Sequence, residues 1–359
     1  MKQEPPIAGL EGVTVADTVL GATDPPTGRL WVRGVALPEL VAEHGYEGTV
    51  ALLWEDFAGT GLTRAGMLRQ LGAARQAAFA RLEAWLPATA GCAPDRAVRL
   101  ALALLPEQAA GEVIVATLAV GVPAILRAQD GAAPIAPDPA LSTAADLLRM
   151  LHAAPPAPAA AAALDTYFTA MSDSGLSASS FAARVVASTR AGLPAAVLGA
   201  WCAFTGKLHG GAPGPTLDLL DALAAAPDME AWVTARLAAG ERLMGFGHRL
   251  FHGNDPRAAA MRAALARMGP AAGRLDLAEA AERAVAAALA RLKPGRALPA
   301  NVEIMAALLL EALRIPRTGF TAVFAVARCP GWIAHALEQE RTGRMFRPDA
   351  RYIGPPPQA

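Results

Sequence analysis

In the stretch "PANVEIMAALLLEAL", Val302, Met305, Leu308, Leu309 and Leu313 recur at helical spacing and predict a helix with a core-facing stripe. Pro299 precedes it, Asn301 is a good N-cap type, and Glu303 falls in the first turn. The same periodicity governs most of the chain from about Leu37 onward. It is clearest in "LPELVAEHGYEGTVALLWEDF", "LTRAGMLRQLGAARQAAFARLEAWL" and "EVIVATLAVGVPAILRAQ". Residues 9–57 begin differently, with Gly9, Gly12, Gly21, Pro25, Pro26, Gly28 and Gly34 separating short runs such as "RLWVRG" that suit small strands. Strands and helices do not alternate, so the expected fold is mainly α with a minor β element at the start. The Pro- and Ala-rich segment 131–163 resembles a linker in composition, yet "LSTAADLLRML" within it has helical spacing. It predicts a surface helix between two loops. No fixed-period repeat is present, which argues against a solenoid.

At 359 residues and 36.9 kDa, the chain has the length of two ordinary domains. Its 32 Lys and Arg balance its 32 Asp and Glu, so no global field attracts nucleic acid or an acidic membrane surface. A small, locally charged partner fits that balance better. Cys92, Cys202 and Cys329 are widely separated and form no CxxC, which supports neither a structural metal site nor a disulfide framework. "MKQEPPIAGLEG" has no signal-peptide character, so the expected location is cytoplasmic. The apolar runs Val113 to Leu126 and Gly192 to Gly206 are shorter than a bilayer core of roughly 30 Å requires, so no membrane insertion is expected.

Four motifs carry candidate chemistry: "GKLHGGAPGP" around His209, "MGFGHRLFHGNDPR" around His248 and Arg257, "NVE" at Glu303, and "RMFRPDARYIGP" near the end. His209 stands before Gly210 and Gly211, where backbone without bulk lets a ligand approach, or where helices simply turn. "GFGHRL" fails the dinucleotide pattern at Leu250. Asp255 and Pro256 suit the start of a helix and place Arg257 at the wrong end of its dipole. Either Asp255 pairs with that cation or an anion binds there. Glu303 is open in the same way. It either complements the positive end of its helix or serves as a base. Arg341, Arg344, Arg347 and Arg351 form a basic tail that is solvated or reaches a partner subunit. GxSxG, P-loop and HExxH motifs are absent.

Together and in this order, these motifs resemble the citrate synthase family. "GLEGVTVADT…GRLWVRG" looks like that family's opening, "SASSFAARVVAST" like the helix before its active site, and "FAVARCPGWIAHALEQ" like its penultimate helix. The resemblance covers essentially the whole chain. It implies an all-α fold with a large domain (1–210 and 315–359) and a smaller closing domain (211–314), in a homodimer. It implies that His209 hydrogen-bonds the thioester carbonyl, that His248 polarises the ketone of oxaloacetate, and that Glu303 removes a proton from the acyl-CoA. Arg257, Arg328 and Arg347 match the carboxylate-holding arginines, Arg347 serving the other subunit's site. No cofactor or metal beyond the coenzyme A thioester is implied.

Two departures stand out. The family's usual Asp base is Glu303 here, and the added methylene displaces the carboxylate by about an ångström, a shift that costs about a hundredfold if uncompensated. The family pattern "HADHExNAST" becomes "MSDSGLSASS", which puts Ser174 where the oxaloacetate-binding histidine stands, with Ser172, Asp173 and Ser177 beside it. Condensation of a short acyl-CoA with oxaloacetate or a related 2-oxo acid is the leading expectation. The alternative is a weakened paralogue that binds CoA or a dicarboxylate in a regulatory role, and simple thioester hydrolysis or citryl-CoA cleavage in the same pocket is a third.

Overall fold

The computed structural model describes residues 9–10, 12–24, 26–206, 209–210, 213–241, 243–247, 255–293 and 298–355. The fold is all-α, with a single three-stranded antiparallel sheet at the start among the described residues. β1 (Gly21–Asp24), β2 (Arg29–Val32) and β3 (Val35–Ala36) pair in sequence order, Gly21 opposite Val32 and Trp31 opposite Ala36. "RLWVRG" is therefore a strand and its turn. Leu30 and Val32 face inward and join the core.

Among the described residues, helices follow without interruption by further strands. Thr63 caps Arg64–Ala80 by accepting from the Gly66 N–H, Ser142 caps Thr143–His152, and Ser177 caps Ala178–Ser188. Each side-chain oxygen satisfies a backbone donor that the first helical turn leaves unpaired.

The helix Thr143–His152 differs from expectation. Its existence was legible, but Thr143, Ala144, Asp146, Leu147, Leu148, Met150 and Leu151 are all buried rather than displayed on a surface. Asp146 explains why. Its carboxylate accepts from Nε of the fully buried Arg75 at 3.0 Å and from Arg149 at 2.7 Å, while Arg75 also donates to Thr143 and to the backbone oxygens of Asp138 and Leu141. The Pro-rich loop is thereby fastened to the helix Arg64–Ala80. A second difference concerns Gly111–Gln129, a 19-residue helix longer than its apolar run and, like Arg317–Thr342, long and apolar enough to cross a membrane. Most of each is buried within the protein, as core helices are.

The helix Phe320–Thr342 runs through the core and positions the site. Pro330 within it has no N–H, which frees the Val326 carbonyl, and the Tyr46 hydroxyl donates to that oxygen at 2.7 Å. Trp54 Nε1 donates to the Pro330 carbonyl at 3.1 Å. Gly331 lets the helix approach the turn after Pro158–Met171 closely, since a Cβ there would stand 2.2 Å from the Ser172 carbonyl oxygen.

Replacing Arg75 with Ala leaves the buried Asp146 Oδ2 without its donor while Oδ1 keeps Arg149 and the Asp138 N–H, and chemical denaturation is expected to show a loss of about 3–5 kcal/mol. The half-exposed pair Arg33–Asp56 serves as a control, where Arg33→Ala is expected to cost about 1 kcal/mol or less.

Candidate active site

Three of the residues singled out in the sequence meet at one point. Ser174 Oγ accepts from Arg257 Nη1 at 2.9 Å and from Arg328 Nη2 at 3.0 Å. Arg257 stands at the start of Pro256–Arg267, where Asp255 accepts from its backbone N–H and takes a two-point ion pair from Nε and Nη2. The pairing with Asp255 therefore holds: Asp255 orients the fork, and Nη1 donates to Ser174.

Arg328 is placed differently. It is 3% exposed, its Nε donates to the Met171 carbonyl at 2.6 Å, and its guanidinium stacks 5.1 Å from the Phe324 ring. No carboxylate lies within ion-pair distance among the described residues. Burial pulls its pKa down to about 10, and the charge of Arg257 pulls the same way, although Asp173 opposes. A buried guanidinium without a counter-ion is costly, on the order of several kcal/mol. The arrangement suits the carboxylate of a ligand, which would supply that counter-ion.

His209 occupies a turn between the helices Leu193–Phe204 and Pro213–Ala225. Gly210 donates its N–H to the Phe204 carbonyl at 2.8 Å, and a Cβ there would lie 2.7 Å from the Phe204 ring. The imidazole meets that ring edge-on at a centroid distance of 5.1 Å. Its Nε2 accepts from the Ser179 N–H at 3.3 Å and lies 2.8 Å from Ser179 Oγ, which in turn accepts from Trp332 Nε1 at 3.1 Å. Because Nε2 is an acceptor, the proton of the neutral ring sits on Nδ1. Burial first, and the Arg328 charge second, lower the pKa of His209 to about 4. A neutral ring with one N–H donor is the form that stabilises an oxygen gaining charge without giving up its proton.

Asn301 caps Val302–Ala312 as its residue type suggested, with Oδ1 accepting from the Glu303 N–H at 2.8 Å. Glu303 is partly exposed on a helix otherwise almost wholly buried. Asn301 does more than cap. Its N–H donates to the Gly245 carbonyl at 2.8 Å and its Nδ2 to the Gly247 carbonyl at 2.9 Å, and Gly247 donates to the Pro299 carbonyl. The start of the Glu303 helix is thus stitched to the two-glycine segment that runs into His248, which itself lies outside the described residues. Gly245 has φ +80° and a Cβ there would meet Ile304 at 2.4 Å, so glycine is required. Val302–Ala312 also packs on the Arg257 helix, on Pro213–Ala225 and on Pro158–Met171.

Arg347 does not join this group. It is exposed on the extended tail beyond Phe320–Thr342, where Phe346 packs edge-on against Phe181 and donates its N–H to Ser188 Oγ. Sequence reasoning missed Ser179 and Trp332 as partners of His209. Asp173, His335, Arg184 and Glu338 were missed too, as a buried polar chain behind Ser174. Charged and imidazole side chains at core-facing helical positions, as in "GWIAHALEQE", were the available signal. The neighbours of Ser174 do other work: Ser172 Oγ donates to the Thr169 carbonyl, and Ser177 is a helix cap. Among the described residues, no group of three His, Cys, Asp or Glu is arranged to hold a metal ion.

A deeply helical protein with buried arginines converging on one hydroxyl, a neutral histidine and a carboxylate at a helix start has the apparatus of a carbon-acid enzyme that takes an acidic co-substrate. A family model described as citrate synthase, C-terminal domain, matches residues 9–349. The chain is 37% identical to "Putative citrate synthase 2" of Mycobacterium tuberculosis strain H37Rv, across 98% of this chain and 94% of that protein. It is 30% identical to the "2-methylcitrate synthase" of the same strain, across 96% and 90%. The crystal structure of citrate synthase from Pyrobaculum aerophilum matches with a TM-score of 0.86 at 28% identity, covering 99% of this chain and 95% of that one. The chain belongs to the citrate synthase family and is an acyltransferase of that type.

The depressed pKa of His209 has a direct readout. Protons favour the unfolded chain between the ordinary imidazole value and about 4, so this contribution to stability is intact at neutral pH and is lost as pH falls through that window. In an NMR titration, the His209 ring is expected to remain neutral at pH 5. A midpoint near 6.5 would contradict the assigned hydrogen bonding.

Proposed function

We propose that the protein condenses a short acyl-CoA with oxaloacetate or a closely related 2-oxo acid and releases CoA. The observation that carries this reading is the buried Arg328, held beside Arg257 and Ser174 without a carboxylate of its own. Enzymes of the citrate synthase family act on an acyl-CoA and oxaloacetate, and an acidic co-substrate supplies the counter-ion that Arg328 lacks.

On this reading, Glu303 removes a proton from the carbon next to the thioester carbonyl. His209 donates Nδ1–H to the thioester oxygen as the enol forms, so that neither group has to carry the full charge change alone. The new carbon nucleophile attacks the ketone carbon of the 2-oxo acid, whose oxygen His248 polarises. Arg257, Arg328 and Ser174 hold carboxylate oxygens and fix the ketone within about 3–3.5 Å of the nucleophile. Hydrolysis of the resulting thioester frees CoA. No redox step occurs and the thioester is the activated group, so the reaction calls for no cofactor beyond CoA as substrate. The proposal extends to a smaller domain, residues 211–314, that closes over the substrates, and to a homodimer in which Arg347 serves the neighbouring site.

The acyl group is acetyl or propionyl, matching the two products for which the relatives are named. The binding-only paralogue is the weaker reading, because Ser174 keeps both arginines in a converged arrangement despite its small size.

CoA release can be followed with a thiol reagent from acetyl-CoA and propionyl-CoA, each with and without oxaloacetate. The expected result is release that requires oxaloacetate and falls by about 10²–10⁴-fold in Glu303→Gln. Release independent of any 2-oxo acid, or none from either thioester, would contradict the proposal.

A further inference from the structure

The side chains behind Ser174 form a buried polar chain. Asp173 is 2% exposed, and its two carboxylate oxygens have separate duties. Oδ2 accepts from the Gly175 N–H at 3.1 Å, closing the backbone around Ser174, and Oδ1 accepts from His335 Nε2 at 3.1 Å. His335 is fully buried, and its Nδ1 accepts from Arg184 Nε at 3.0 Å. Arg184 is ion-paired to Glu338 and donates to Gln339. Glu338 Oε1 accepts from the Val19 N–H at 2.8 Å, which ties the segment before β1 into the same chain.

The surroundings leave Asp173 no alternative position. A Cβ on Gly21 in β1 would stand 2.5 Å from Oδ2, and one on Gly331 would stand 3.3 Å from Oδ1. Two glycines, one in β1 and one in Phe320–Thr342, thus make room for one carboxylate. None of Asp173, His335, Arg184 or Glu338 touches the point where Ser174, Arg257 and Arg328 meet, yet the chain ends one residue from it.

We propose that Asp173 is a positioning residue for the 2-oxo-acid end of the site, fixing the turn that aims Ser174 at Arg257 and Arg328 through the relay of His335, Arg184 and Glu338. This rests on the reading of Ser174 and the two arginines as carboxylate anchors. The hydrogen-bond pattern allows no substitute at position 173. Arg184 Nε donates to His335 Nδ1, so Nε2 must carry the proton and donate to residue 173. The Gly175 N–H donates there as well. Asparagine has one acceptor oxygen for these two donors facing separate atoms, so Asp173→Asn leaves a buried donor opposed to an N–H₂ group.

The sign of the effect separates positioning from charge. Asp173 also places a negative charge near Arg328. If that charge were its only influence, removing it would strengthen the binding of an anion. A positioning role predicts the reverse.

The test is calorimetric titration of freshly prepared oxaloacetate, and separately of CoA, into wild type, Asp173→Asn, His335→Gln and His335→Phe. Glutamine presents one donor and one acceptor from the same head group and reproduces the imidazole's two contacts, whereas phenylalanine removes both. Oxaloacetate affinity is expected to fall by about tenfold or more in Asp173→Asn and His335→Phe and to be largely retained in His335→Gln, with CoA affinity within about twofold throughout. Unchanged or tighter oxaloacetate binding in Asp173→Asn overturns the proposal. So does parallel loss of both ligands, which marks a general structural role. A wild type that binds no oxaloacetate overturns it as well, whereas one that binds oxaloacetate but releases no CoA contradicts only the proposed reaction.

Discussion

The site depends on one buried charge that has no ion-pair partner among the described residues, the guanidinium of Arg328. Its geometry is imposed by the helix that carries it. Pro330 and Gly331 bring Phe320–Thr342 against the turn at Ser172, and Tyr46 satisfies the carbonyl that the proline strands. Arg328 then spends one N–H on the Met171 carbonyl and another on Ser174. Among the described residues, its hydrogen bonds go to neutral oxygens and its face to an aromatic ring. The protein thus stores an electrostatic penalty that, on the proposed function, the carboxylate of a substrate would relieve, coupling binding to the stability of the core.

Ser174 shapes what this arrangement recognises. Its oxygen accepts from both arginines, so its O–H remains available as a neutral donor. An imidazolium in that place would donate from a charged group, whereas the hydroxyl donates from a neutral one. Two guanidiniums and a hydroxyl still form a donor set for a carboxylate. His209 lies within the field of Arg328, which joins burial in keeping it neutral and so couples the two parts of the site electrostatically. Asn301 performs the corresponding link for Glu303 by binding its helix start to the segment that leads to His248.

Much of the fold was legible because helical periodicity and caps are local properties. Asn301 and Asp255 read correctly as helix starts, since a cap is a short-range bond between a side chain and a nearby N–H. The burial of Thr143–His152 was not legible, because it depends on Arg75 some seventy positions earlier reaching Asp146. The convergence of Ser174, Arg257 and Arg328 was available only as separate motifs and a family resemblance. Their meeting is a product of tertiary packing between helices distant in sequence. The chain from Asp173 to Glu338 was the least visible part. Its members look like ordinary polar residues within apolar helices, and only burial reveals that each must be paired.

The most direct measurement is the thermal stability of Arg328→Met with and without oxaloacetate, beside wild type. If Arg328 is held without a counter-ion, replacing it by an apolar side chain of similar length should leave the free protein at least as stable. The same change should abolish the rise in Tm that oxaloacetate gives wild type. A variant that is much less stable when free, yet still gains stability from oxaloacetate, would contradict the claim that this charge is kept for the substrate.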